Sequence, residues 1–193
     1  MKIVRPRISG LVVFEPTVYE DDRGLFFETY RDYELHSAIG QKIDFVQENQ
    51  SLSFENVFRG FHYQRDEFAQ AKLVRVVQGG VADFAIDLRP NSRTYGQVHA
   101  ELIDDQNRKQ MFIPRGFAHG FLTLTPTAIF QYKCDNYCNK EFEAGLNPLS
   151  VKIDWSQYGQ TKDKLIINQR DREFPPLVVS MEDLIDVMCR RKD

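Results

Sequence analysis

Cysteine is scarce: Cys134, Cys138 and Cys189 are the only three in 193 residues, too few and odd in number for a disulfide framework. A chain of this length buries roughly 70% of its unfolded surface and needs no covalent staples, so reduced thiols are expected. Long apolar runs are missing as well. None approaches the ~18 residues that a membrane span requires, and no membrane partner is expected. The opening MKIVRPRISGLVV carries basic residues, but its apolar run is short and broken by Pro6, Ser9 and Gly10. That makes a poor secretory signal, and the cytoplasm is the expected location. There is no excess of positive charge either: 25 Lys and Arg against 28 Asp and Glu leave a net −3. Such a balance argues against a nucleic-acid partner, while a few converging arginines could still hold a small anion. With no repeat, low-complexity tract or convincing linker, residues 1–193 read as one domain.

What is present is a series of short alternating segments. In VADFAIDL (81–88), Ala82, Phe84, Ile86 and Leu88 alternate with Asp83 and Asp87, and Gly79-Gly80 separates this run from KLVRVV. The pair reads as a hairpin. AIFQYKC (128–134) places Ala128, Phe130, Tyr132 and Cys134 on one face. VHAELI (98–103), QMFI (110–113) and HGFLTLT (119–125) fill the gaps between turn clusters such as RPNSRTYG and DDQNRK. Five or more strands with no helical pattern between them predict an all-β sandwich or barrel. Helices are peripheral: one over about 31–39, ending at Gly40, and one after Ser180 with Met181, Leu184, Ile185 and Met188 as its apolar stripe.

Two histidines stand in motifs. His62 lies in VFRGFHYQ (57–64), between a glycine, an arginine and aromatics, and is by type a core residue, a metal ligand or a base. IPRGFAHGF (113–121) contains Pro-x-Gly-x-x-His ending at His119, a turn that feeds a histidine inward, and resembles the second motif of the cupin superfamily of small β-barrels. Metal-binding cupins carry His-x-His in their first motif, where this chain reads His62-Tyr63-Gln64. A pair of imidazoles is short of the three protein ligands a catalytic metal usually needs, so no metal is expected. Cys134-x3-Cys138 with Cys189 is poor zinc spacing. Proton chemistry remains: an imidazole titrating near pH 6.5 is largely neutral and basic at neutral pH. Tyr132 is either a rim aromatic or a phenolic acid, and Asp171 either a loop acid or a partner that holds the His62 tautomer.

A wider set of segments makes the chain resemble the dTDP-4-dehydrorhamnose 3,5-epimerase family from about residue 12 to 177. They are FEPTVYEDDRGLFFET, FVQENQSLS, VFRGFHYQ, AKLVRVVQGGVADFAIDLRPNS, TYGQ, FIPRGFAHGF, YKC and IDW. The resemblance implies a jelly-roll, cupin-like barrel, with its core over about 12–155 and a C-terminal segment over about 156–193. It also implies a homodimer, no cofactor, and a nucleoside-diphosphate sugar, that of thymidine, with a ketone at C4 and a deoxygenated C6. By the same resemblance His62 is the base, Asp171 its dyad partner, Tyr132 the acid on the opposite face and Lys72 the cation near the enolate. Arg23 and Arg59 serve the diphosphate; Gln47, Asn49, Glu28 and Glu143 hold phosphates or base; Tyr19 and Phe26 belong to the nucleotide pocket; His119 hydrogen-bonds the sugar. The residues of Arg23 to Glu28 are expected to reach the neighbouring subunit's site.

The chain departs from the family pattern at three points. Cys138 stands where an aromatic stacks on thymine, with Tyr137 just before it; Asn168-Gln169-Arg170-Asp171 replaces Ser-Glu-Lys-Asp, which makes Arg170 the cation beside the dyad; and GLNPLSVKIDW is about two residues short. These departures leave open a relative that inverts C3 or C5 alone. A 3,4-ketoisomerase and a non-catalytic sugar-nucleotide binder are the other readings.

Overall fold

The computed structural model describes residues 1–179, and strands dominate it. In chain order they are β1 (Lys2–Val4), β2 (Val12–Glu15), β3 (Val18–Asp21), β4 (Gly24–Phe27), β5 (Gln47–Phe54), β6 (Phe58–Gln64), β7 (Lys72–Gln78), β8 (Gly80–Asp87), β9 (Val98–Asp104), β10 (Gln110–Ile113), β11 (Phe117–Thr123), β12 (Thr127–Cys134) and β13 (Glu143–Gly145). Helix α1 covers Asp32–Ile39 and α2 covers Gln169–Glu173. One sheet runs β1-β2-β10-β7-β12-β5 and the other β13-β6-β11-β8-β9, while β3 and β4 form a separate hairpin. Two antiparallel sheets packed face to face make the jelly-roll sandwich that the alternating segments predict.

The expected hairpin across Gly79-Gly80 is not formed: β7 lies in the six-stranded sheet and β8 in the five-stranded one. Gly79 has φ +78, and a Cβ there would stand 2.2 Å from the Thr127 carbonyl oxygen. Only glycine takes that conformation against a neighbouring backbone without strain. A Gly-Gly pair thus marks a sharp turn, but here the turn carries the chain from one sheet to the other.

Three apolar clusters explain the layering. Between the sheets, Val74, Val76, Met111, Ile113, Ala128 and Phe130 meet Val81, Ala85, Ile103, Phe117 and Phe121. On the outer face of the five-stranded sheet, Phe58, Phe61, Phe84, Ala118 and Leu122 are covered by Trp155, Leu165 and Ile167 of the C-terminal segment. On the outer face of the six-stranded sheet, Val12, Phe14, Leu73 and Phe112 receive Leu35 and Ala38 of α1. Each large side chain buried this way contributes about 1.5–3 kcal/mol. Helix α1 stops where expected, at Gly40 with φ 75, whose N–H bonds to the His36 carbonyl. Strand β8 is buried along its whole length, because both of its faces meet a cluster. The helix expected after Ser180, like Cys189, lies outside the described residues, and no described helix is long and apolar enough to cross a membrane.

Candidate active site

At one end of the sandwich the inner core gives way to polar side chains around a cavity of about 200 Å³. Strand register decides which residues reach it. On β11, His119 lies opposite His62 of β6, and Phe121 lies opposite Arg59, with a bulge between the two pairs. Two steps along β11 therefore match three along β6. The extra residue puts Arg59 and His62 on one face, although residues three apart on a regular strand point to opposite faces. Glycines permit the bulge: Gly60 has φ +134, and a Cβ on it would meet the Gly120 Cα at 2.5 Å. The turn at Pro114–Gly116, with Gly116 at φ +85, delivers His119 inward as its motif predicts.

The facing sheet supplies the opposite wall. On β12, Tyr132 lies opposite Asn49 of β5 and Val74 of β7, one pleat from Lys72. Asn49, Arg59, His62, Lys72, His119, Tyr132, Arg170 and Asp171 all line the cavity. His62 and Tyr132 thus approach one space from different sheets.

His62 Nε2 lies 2.7 Å from Asp171 Oδ1. An ionised carboxylate only accepts, so Nε2 carries the proton of the neutral ring and the lone pair is on Nδ1. Asp171 is held in turn by the N–H of Gly60 at 3.3 Å and by its place in α2, where its own N–H donates to the Asn168 side chain at 2.7 Å. Asn168 is the N-cap of α2, a role it fills as well as serine would. Burial alone would raise the Asp171 carboxyl; the hydrogen bond and charge of His62, the Gly60 N–H and Arg170 outweigh it and hold the group below the usual carboxylate range. Arg170 also pairs with Glu143 at 3.1 Å.

Burial pushes the Tyr132 phenol up to about 12, with nearby thiols and Glu143 adding to the effect, so it stays protonated at neutral pH. Burial pushes Lys72 down, and its ammonium, 5.6 Å from the Tyr132 ring centre, has no ion pair among the described residues. His119 is also pushed down by burial, against the pull of Asp83, whose two oxygens lie 3.0 and 2.9 Å from its Nε2. A base, a protonated phenol and an uncommitted cation around one cavity can take a proton from one side of an acidic carbon, steady the resulting oxyanion and return a proton from the other side.

The remaining expected residues fall into two groups. Gln47, Glu143 and Cys138 adjoin the cavity: Gln47 donates to Asn49 at 3.0 Å and accepts the Cys138 N–H at 3.1 Å. Tyr19, Arg23 and Phe26 lie on the β3–β4 hairpin beside a separate open cavity of about 410 Å³, and Glu28 pairs with Arg31. Within one chain these four are not brought to His62. Sequence reasoning missed Asp83, and also Ser51, which lines the cavity and whose buried hydroxyl has no hydrogen-bond partner among the described residues. Among the described residues no group of three or more His, Cys, Asp or Glu is placed to hold a metal ion. Burial pushes the Cys134 thiol up to about 11, away from the thiolate a zinc site uses.

A family model described as dTDP-4-dehydrorhamnose 3,5-epimerase matches residues 5–178. The enzyme of that name from Escherichia coli (strain K12) is 44% identical over 176 residues, 90% of this chain and 93% of its own. Its solved counterpart from Elizabethkingia anophelis NUHP1 superposes with a TM-score of 0.86 at 40% identity, covering 92% of this chain and 96% of that one. The dTDP-6-deoxy-D-glucose-3,5-epimerase of Legionella pneumophila Philadelphia 1, in complex with dTDP-4-keto-L-rhamnose, gives 0.85 at 35% identity, with 94% and 96% covered.

Proposed function

The chain belongs to the dTDP-4-dehydrorhamnose 3,5-epimerase family, and from that premise we propose that it inverts C3 and C5 of a dTDP-4-keto-6-deoxyhexose through an enolate. The C4 ketone acidifies the hydrogens on both neighbouring carbons. His62 takes one of them on its lone pair, and Asp171 steadies the imidazolium that forms. The electron pair moves onto the C4 oxygen, where Lys72 meets charge that exists only in the intermediate. The Tyr132 hydroxyl then delivers a proton to the opposite face of the same carbon. Solvent reprotonates the phenolate and takes the proton from His62. Arg59, Asn49 and Gln47 serve the diphosphate, and Arg170, a planar fork over the dyad, the neighbouring polar groups.

One observation carries this reading: His62, paired with a buried carboxylate, and Tyr132, from the facing sheet, line a single cavity with Lys72. We further propose a homodimer in which the β3–β4 hairpin completes the partner's site. Its Tyr19 and Phe26 are 64% and 70% exposed, unusual for aromatics without a partner surface.

In deuterated water the protein is expected to place label at both C3 and C5 of the 4-keto sugar nucleotide. His62→Asn should slow exchange by about 10²–10⁴. Tyr132→Phe should keep exchange on the His62 side while inversion falls by a comparable factor. Label at one carbon alone would reveal a single-centre epimerase, a migrated ketone by NMR a ketoisomerase, and tight binding without label a binding module.

A further inference from the structure

Asp83 is a fully buried carboxylate behind His119, which lines the cavity, and the dyad has no use for it, since His62 already has Asp171. On β8 it stands opposite Phe121 of β11 and Glu101 of β9, one pleat from Ala85, which faces His119. Side chains two apart on a strand share a face, so Asp83, Glu101, His119 and His62 all point between the sheets. Both Asp83 oxygens contact His119 Nε2, and Lys72, from β7 of the facing sheet, feels its charge.

A buried carboxylate is costly without a balancing cation. Two groups that feel its charge could supply one: His119, in contact with it, and Lys72, which lines the same cavity as His119 without an ion pair among the described residues. Both cannot be charged against a single carboxylate in a poorly solvated interior without strong mutual repulsion. An ammonium is the more basic by about 4 pKa units in water, so the proton belongs on Lys72 and His119 stays neutral. A neutral ring donates from Nε2 to Asp83 and keeps its lone pair on Nδ1.

We propose that Asp83 is a positioning residue for the epimerase reaction: it keeps Lys72 an ammonium for the enolate oxygen, and it fixes His119 as an acceptor for a sugar hydroxyl. The role rests on the functional reading above. The other groups around these side chains are accounted for. Lys72 also faces Cys134 and Tyr132 of β12, Cys138, and Glu143 of β13, which pairs with Arg170. His119 also faces Lys72 and His62, both of which oppose its protonation. Glu101 is committed to Lys109 at 2.6 Å and His99 at 3.4 Å. Burial pushes both Lys72 and His119 down, and Asp83 opposes that push in both.

Asp83→Asn keeps the shape and removes the charge. Turnover near neutral pH should fall about 10²-fold with KM changed by less than about threefold, the pattern of a lost transition-state interaction. The basic limb of the kcat profile should move to lower pH, because Lys72 releases its proton sooner, and Asp83→Glu should recover much of the rate. A variant within about threefold of the wild type, with an unmoved profile, would overturn the role. Should Asp83→Asn fail to fold, 15N NMR of the unliganded wild type decides. It should show His119 neutral with its proton on Nε2 near pH 7; an imidazolium or the Nδ1–H form overturns the proposal. A wild type that exchanges no deuterium sinks the epimerase reading and this role together, whereas an exchanging wild type beside an unaffected Asp83→Asn sinks only the role.

Discussion

His119 is an imidazole in surroundings that disfavour its charge, which makes it a pH-dependent liability for the fold. An unfolded histidine takes up a proton near pH 6.5, whereas burial depresses the folded value. Between the folded and unfolded values the unfolded chain binds more protons, so stability falls as pH falls through that window, by up to about 1.4 kcal/mol per pH unit. Asp171 has the usual carboxylate sign in a lower window. Its folded value is depressed, so its contribution is fully present above the unfolded value near 3.9 and is lost as pH falls through the folded one. The upper edge of the His119 window, near 6.5, lies well above that of Asp171, near 3.9. Urea midpoints measured from about pH 7.5 down to 5.5 should drop in the wild type and drop distinctly less in His119→Gln. Equal slopes in the two proteins would mean that His119 already carries a proton in the fold.

Strand β6 shows how one local irregularity assembles a site. Without the bulge at Gly60, Arg59 and His62 would face opposite sides of the sheet, one in the cavity and the other in the outer cluster beside Trp155. Gly60→Ala puts a Cβ against Gly120 at a φ that L residues rarely adopt. It should cost about 2–3 kcal/mol in urea unfolding and reduce exchange even below the unfolding transition, because the arginine and the base no longer share a face. A variant as stable and as fast as the wild type would show that the strand reaches this register without glycine. Much of this was legible in the chain. Alternation identified β8 and β12, the turn clusters set off β9 and β10, Gly40 marked the end of α1, and the Pro-x-Gly-x-x-His turn foretold an inward His119. Sheet membership was not legible, because the partners of β7 and β8 are distant in sequence, and the hairpin across Gly79-Gly80 was misassigned for that reason. Asp83 escaped for a related reason: an acid alternating with apolar residues resembles a solvent-facing position, and nothing local says that both faces of β8 are covered. Asp171 could be chosen over the reading of a loop acid only through family resemblance, since its pairing with His62 spans 109 residues and depends on the Asn168 cap.

At the scale of the whole molecule the unexplained element is the β3–β4 hairpin. It carries Tyr19, Arg23 and Phe26 away from the cavity that their expected roles require, and among the described residues Arg23 is paired only with Asp21, with its side chain 90% exposed. If the hairpin acts on a partner's site, the two halves of one active centre come from different chains, and damage to each can be complemented. His62→Asn keeps an intact hairpin and loses its own base, whereas Arg23→Ala keeps the base and weakens the diphosphate contact it offers its neighbour. Alone, each homodimer should be slow. When the two are mixed and allowed to exchange subunits, half of the dimers are heterodimers. Each of these has one site with both an intact base and an intact hairpin, so activity should recover to roughly a quarter of the wild-type rate. A hairpin acting within its own chain would give no such recovery, since every site would still contain one of the two defects. A mixture no faster than its components, with subunit exchange verified by mass spectrometry, would therefore rule out the shared site and require Arg23 to reach the substrate from within its own subunit.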